Sequence, residues 1–68
     1  MSSNLYLKNL KKYRTEKGWS QEKLSREAGI SYQTVIKIER GNIENPKIET
    51  ILKLGKALKI SLDKLVNN

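Results

Sequence analysis

Residues 20–41 read SQEKLSREAGISYQTVIKIERG, and their punctuation decides the architecture. Ser20 and Ser31 each follow an apolar residue and precede another by four places: Trp19 and Leu24, then Ile30 and Val35. A serine at a helix cap accepts a hydrogen bond from an otherwise unpaired first-turn amide, and the apolar pair closes over it as a hydrophobic staple. The spacing therefore predicts helix starts just after Ser20 and Ser31. Only AGIS separates the two segments. Helix two is expected over about Gln21 to Ala28, ending at Gly29, where glycine takes a positive φ without penalty. A turn that short makes two helices cross steeply.

The same signature returns near the C-terminus as ISLDKL, with Ile60, Ser61 and Leu65, which predicts a further helix there. Working outward, apolar residues recur at three- and four-residue steps, and no alternation runs long enough for a strand. Helix one is expected over about Asn4 to Lys17, with Tyr6, Leu7, Leu10 and Tyr13 inward and Gly18 at its end. Helix four is expected from Asn45-Pro46, a capping side chain followed by a first-turn proline. Ile48, Ile51, Leu52 and Leu58 are assigned to its buried face, with Gly55 on that face as a point of close helix approach. Leu54 and Val66 are left as exposed apolar residues, either part of a dimer surface or isolated. The reading is all-α: five helices in one domain over residues 1–68, with a helix-turn-helix over about 20–40.

Composition narrows the chemistry. Sixty-eight residues bury only about 60% of the unfolded surface, so the core must be small. Cysteine and histidine are both absent, which removes disulfides, thiolate metal sites, the commonest zinc ligand and the commonest general base. Nothing orders a nucleophile, a base and oxyanion donors around a pocket, so no enzyme, cofactor or small-molecule site is expected. No apolar run approaches the roughly 20 residues that span a bilayer. The opening MSSNLYLKNLKKY lacks a signal-peptide core, and a cytoplasmic protein is expected.

Charge points to a partner. The net charge is +7 and the sequence pI about 9.9. Residues 1–17 carry five basic groups against one acid, residues 18–46 balance, and residues 47–68 carry five against two. A basic field of this size suits a polyanion, most often nucleic acid. On a helical wheel, Val35 and Ile38 of helix three point inward, with Glu39 at the edge of that face and Tyr32 on its flank. Gln33, Lys37 and Arg40 point outward with Ile36 beside them. An amide, an ammonium, a guanidinium and a methyl-rich side chain are the groups that read base edges in a major groove.

The stretch SQEKLSREAGISYQTVIKIERGN resembles the helix-turn-helix of the phage repressor/Cro (Xre) family of transcription regulators. Gln21, Leu24, Ala28, Gly29, Ile30, Val35, Ile38, Glu39 and Gly41 fall where the family pattern places their types, and the likeness extends to the final LKISLDKLVN. The resemblance implies a compact five-helix repressor-like domain, usually a dimer, that lays helix three in the major groove of a partly palindromic operator. It implies base contacts from Ser31, Tyr32, Gln33 and Lys37. It implies phosphate contacts from Ser20, Gln21, Arg40, Asn42 and Lys47, with Gln21 at the amide-rich start of helix two. Arg14 and Glu39 match a structural ion pair. Glu39 also needs a cation on physical grounds, because it lies in a helix's last turn, where the dipole disfavours an acid.

Ser25 replaces the alanine usual in relatives, and its hydroxyl is expected to bond back to the Gln21 carbonyl. A dimer contact is expected within residues 59–66. The favoured function is a sequence-specific DNA-binding regulator, most simply a repressor acting by occupancy. The alternative is an antitoxin- or coactivator-like protein-interaction module on the same fold, and a membrane-surface role for the lysines is the third class.

Overall fold

The computed structural model describes residues 7, 9–41 and 46–66. Five helices follow one another: α1 (Leu10–Glu16), α2 (Gln21–Ala28), α3 (Tyr32–Arg40), α4 (Ile48–Leu58) and α5 (Leu62–Val66). Each serine cap is in place. Ser20 Oγ accepts from the Lys23 N–H at 3.0 Å, Ser31 Oγ from Thr34 at 3.1 Å and Ser61 Oγ from Lys64 at 3.4 Å. The last and longest of these bonds opens the shortest helix, α5, of five residues. The staples close as well: Leu24, Val35 and Leu65 are fully buried, while Trp19, Ile30 and Ile60 pack against the core from its margin.

The core is one cluster: Leu7, Leu10, Leu24, Ala28, Val35, Ile38, Ile51, Leu54, Leu58 and Leu65. Helix α2 packs on both α3 and α4, and α5 closes over α4. Asn9, just ahead of α1, is tied to α5: its Nδ2 donates to the Lys64 carbonyl at 2.8 Å.

Three expectations are corrected. Helix α1 starts at Leu10, and neither Leu7 nor Asn9 is part of it, although both fall within the expected helix. Asn9 occupies the cap position without a capping side-chain bond, and its side-chain nitrogen donates to Lys64. Asn4 and Tyr6 lie outside the described residues. Helix α4 starts at Ile48, with an extended Lys47 (ψ 142°) before it, so Pro46 precedes the first turn instead of lying in it. Asn45 is outside the described residues.

The buried face of α4 also differs. It is Ile51, Leu54, Gly55 and Leu58, while Ile48 and Leu52 are 62% and 52% exposed. Leu54, expected at the surface, is fully buried. The stripe is rotated toward Leu54, and Gly55 remains on it, where α5 comes close. A Cβ on Gly55 would stand 3.1 Å from the Ile60 carbonyl oxygen, 3.6 Å from Leu62 and 3.7 Å from Leu65.

Candidate nucleic-acid interface

Helices α2 and α3 meet through Gly29, whose φ of 71° caps α2 in the left-handed conformation. The Ile30 N–H returns to the Ser25 carbonyl at 3.0 Å, completing the turn. Ser25 is buried, and its hydroxyl donates to the Glu22 carbonyl at 2.7 Å, not to that of Gln21 as expected. The bond reaches back three residues instead of four, and the small side chain still fits beneath the turn.

Helix α3 is anchored from behind by Val35 and Ile38. Its β-branched residues lower helix propensity, so this packing and the two caps hold it in shape. At its end Gly41 adopts φ 76°, and its N–H donates to the Lys37 and Ile38 carbonyls. On the opposite side Gln33, Lys37 and Arg40 are exposed at i, i+4 and i+7, a single stripe along the helix. Tyr32 is 45% exposed at the first turn, and Ile36 is half-buried beside the stripe. Ser31 is exposed, but its oxygen is shared between the Thr34 N–H and the Thr34 hydroxyl, 2.7 Å away. That leaves it one hydrogen-bonding valence for an outside partner. Lys37 and Arg40 occupy the last turn, where cations complement the helix dipole.

The other expected contact residues lie on other elements of the chain. Ser20 and Gln21 stand at the start of α2, Ser20 exposed and Gln21 half-buried. Lys47 is exposed just ahead of α4. Asn42 lies outside the described residues.

Behind α3, Arg14 and Gln21 converge on the Glu39 carboxylate, and Arg14 also reaches the backbone of Trp19. Arg14 Nε donates to Glu39 Oε2 at 2.7 Å and Arg14 Nη2 donates to Oε1 at 3.0 Å. The guanidinium's remaining arm, Nη1, donates to the Trp19 carbonyl at 2.7 Å. Gln21 Nε2 donates to Glu39 Oε1 at 2.9 Å. The Glu39 side chain is only 4% exposed and that of Arg14 10%. The hydrogen bonds from Arg14 to Glu39 raise the arginine's pKa, against the opposing effect of burial and with the help of direct charge attraction. The fork geometry matters here, because a planar guanidinium can serve both carboxylate oxygens and a carbonyl at once.

The contact between Gln21 and Glu39 has no signal in the sequence. It joins two residues 18 positions apart, neither of which demands the other by charge. Also unforeseen is a cationic pair on Trp19, with Lys17 and Lys23 ammonium groups 5.1 and 5.4 Å from its ring centre. Both flank the start of α2 and add positive potential beside Gln21.

A sequence profile described as Helix-turn-helix (HTH_3) matches residues 10–65. The chain belongs to this Xre/Cro-like helix-turn-helix family. The family is one of DNA-binding transcription regulators, not enzymes. Among curated family members, the chain is 36% identical over 58 residues to the HTH-type transcriptional regulator SinR of Bacillus licheniformis, covering 85% of this chain and 52% of SinR. It thus spans about half the length of that relative. The family fold superposes on SinR from a crystal structure of SinR in complex with DNA, with a TM-score of 0.83 and 34% identity, over 87% of this chain and 94% of that one. It also superposes on the restriction-modification controller protein C.AhdI from Aeromonas hydrophila, with a TM-score of 0.79 and 40% identity, over 84% and 85% of the two chains. Among the described residues no helix is long and apolar enough to cross a membrane.

Proposed function

We propose that the domain binds a partly palindromic DNA operator in the cytoplasm as a homodimer and represses transcription by occupying it. The observation that carries this reading is the two-sided construction of α3. Val35 and Ile38 fix it to the core, and Gln33, Lys37 and Arg40 stand out from it in one exposed stripe. The likeness to SinR, seen in complex with DNA, supports the same reading.

In this arrangement Ser31, Tyr32, Gln33 and Lys37 face base edges. Glutamine suits adenine, lysine suits guanine, and the single valence left to Ser31 permits one further bond. Ser20, Gln21, Arg40 and Lys47 face phosphates, with the first-turn amides of α2 adding partial positive charge at Gln21. Two copies related by a two-fold axis set their α3 helices about 34 Å apart, in successive major grooves.

The contact with the second copy is assigned to Ile48 and Leu52, the exposed apolar pair of α4, together with the half-buried Leu62. This shifts the expected dimer surface from residues 59–66 toward α4, because α4 turns those two side chains away from the core.

The test is selection of bound duplex from a random pool at two salt concentrations. An inverted repeat with half-sites about one helical turn apart is the expected result. Binding that is weak, steeply salt-sensitive and without sequence preference would show that the basic field acts alone and would overturn the operator reading.

A further inference from the structure

Neutralising Glu39 does not require Gln21. The two arms of Arg14 already meet both carboxylate oxygens. The additional hydrogen bond from Gln21 Nε2 therefore does more for Gln21 than for Glu39. A carboxylate only accepts, so the Gln21 amide must turn its nitrogen toward Glu39, and a flip would set carbonyl oxygen against carboxylate. One Nε2 hydrogen is used in this bond. The second remains for a partner outside the cluster.

A phosphate likewise only accepts. An amide free to flip would present its carbonyl oxygen, the wrong end, in many of its orientations, and binding would have to order it. Gln21 is the first residue of α2 and half-buried, so part of its side chain reaches solvent beside the unpaired amides of the first turn.

We propose that Glu39 is a positioning residue for the DNA-backbone contact, holding the Gln21 amide in the one orientation that leaves an N–H free to donate to a phosphate. The proposal rests on the reading above in which Gln21 faces the DNA backbone. It gives the carboxylate of the recognition helix a second task. Through Arg14 it joins α3 to α1, and through Gln21 it prepares α2 for the phosphate.

The experiment is a double-mutant cycle on operator affinity. The wild type, Glu39→Gln, Gln21→Ala and the double variant are titrated by fluorescence anisotropy against the duplex selected by the wild type. The temperature is one at which circular dichroism shows all four folded. Glu39→Gln is expected to weaken binding roughly three- to tenfold when Gln21 is present, the scale of ordering one flexible side chain. In the Gln21→Ala background its effect is expected to fall below about twofold, since the group it acts through is gone. Equal losses in both backgrounds would overturn the proposal and leave Glu39 a purely structural residue.

A second measurement does not depend on a variant that folds. In the DNA-free wild type, the Gln21 side-chain amide should give NMR signals of a single rotamer with one hydrogen-bonded proton. A rotamer-averaged amide would overturn the proposal. Wild-type protein that binds no duplex would overturn both this proposal and the operator reading. Wild-type binding that Gln21→Ala leaves untouched would overturn only this one.

Discussion

The backbone of Ile60 closes against Gly55. The Ile60 N–H donates to the Gly55 carbonyl at 3.0 Å, while the Ile60 carbonyl oxygen lies 3.1 Å from the place a Gly55 Cβ would occupy. Alanine at position 55 would add about 1 kcal/mol of helix propensity in an open helix. Here it would press on a carbonyl whose own residue is held by a hydrogen bond to the same glycine. Crowding of that kind costs about 1–3 kcal/mol. Gly55→Ala is therefore expected to lower stability by about 1 kcal/mol net, read as a reduced urea midpoint at unchanged slope. A stabilised variant would show that α5 can move away from α4 at little cost.

Lys59 ends α4 at φ 58°, the left-handed conformation that Gly18, Gly29 and Gly41 adopt elsewhere in the chain. A side chain in that region costs about 1–2 kcal/mol, whereas glycine loses roughly 0.5–1 kcal/mol through its freedom in the unfolded chain. Lys59 is exposed, so removing its side chain leaves no cavity. Lys59→Gly is expected to raise stability by about 0.5–1 kcal/mol, visible as a higher thermal midpoint.

The start of α3 and the extent of α2 were legible because their signals are local. A serine, its flanking apolar pair and a following glycine mark the boundaries within a few residues, and Ser20, Ser31 and Gly29 behave accordingly. The face of α4 was not legible. Ile48, Ile51, Leu52, Leu54 and Leu58 cover more than one side of the helix, so their spacing admits two stripes. The choice between them is made by how α4 packs against α2 and α5 together, a tertiary effect. The left-handed Lys59 has no sequence mark, since the residue usual there is glycine. In the candidate interface, the outward placement of Gln33, Lys37 and Arg40 follows from helical periodicity. The bond from Gln21 to Glu39 does not, because a neutral amide has no preferred partner until the fold brings one within reach.

Arg14→Lys tests whether the guanidinium is needed for its shape or only for its charge. A lysine keeps the charge but cannot reach both Glu39 oxygens and the Trp19 carbonyl in one planar array. The Trp19 carbonyl, or one carboxylate oxygen, would lose its donor in a site where little water reaches, at about 1–3 kcal/mol. A loss within that range in chemical denaturation is expected, and no loss would mean that charge alone suffices. The pH dependence of Arg14 follows from the direction of its shift. Its pKa is raised in the fold, so its stabilising effect is complete below the ordinary arginine value and is lost only as pH climbs past the raised one. Across neutral pH Arg14 itself contributes no slope.

Lys37 and Gln21 separate reading from holding. Lys37 lies on the exposed stripe of α3, where a side chain meets base edges in the proposed complex, while Gln21 lies at the start of α2, where it meets the backbone. Losing a base contact costs about 1–3 kcal/mol at one position and relaxes the preference there. Losing a phosphate contact weakens every sequence by a similar factor. Lys37→Ala is therefore expected to change the motif recovered from a random pool at one position in each half-site. Gln21→Ala is expected to return the wild-type motif at reduced affinity. The discriminating measurement is the selected motif together with affinity for matched and mismatched duplexes at one fixed salt concentration. An unchanged motif for Lys37→Ala would move that side chain from the bases to the phosphates. Its salt dependence would then show the difference: removing a cation from a phosphate reduces the slope of log affinity against log salt by about one unit.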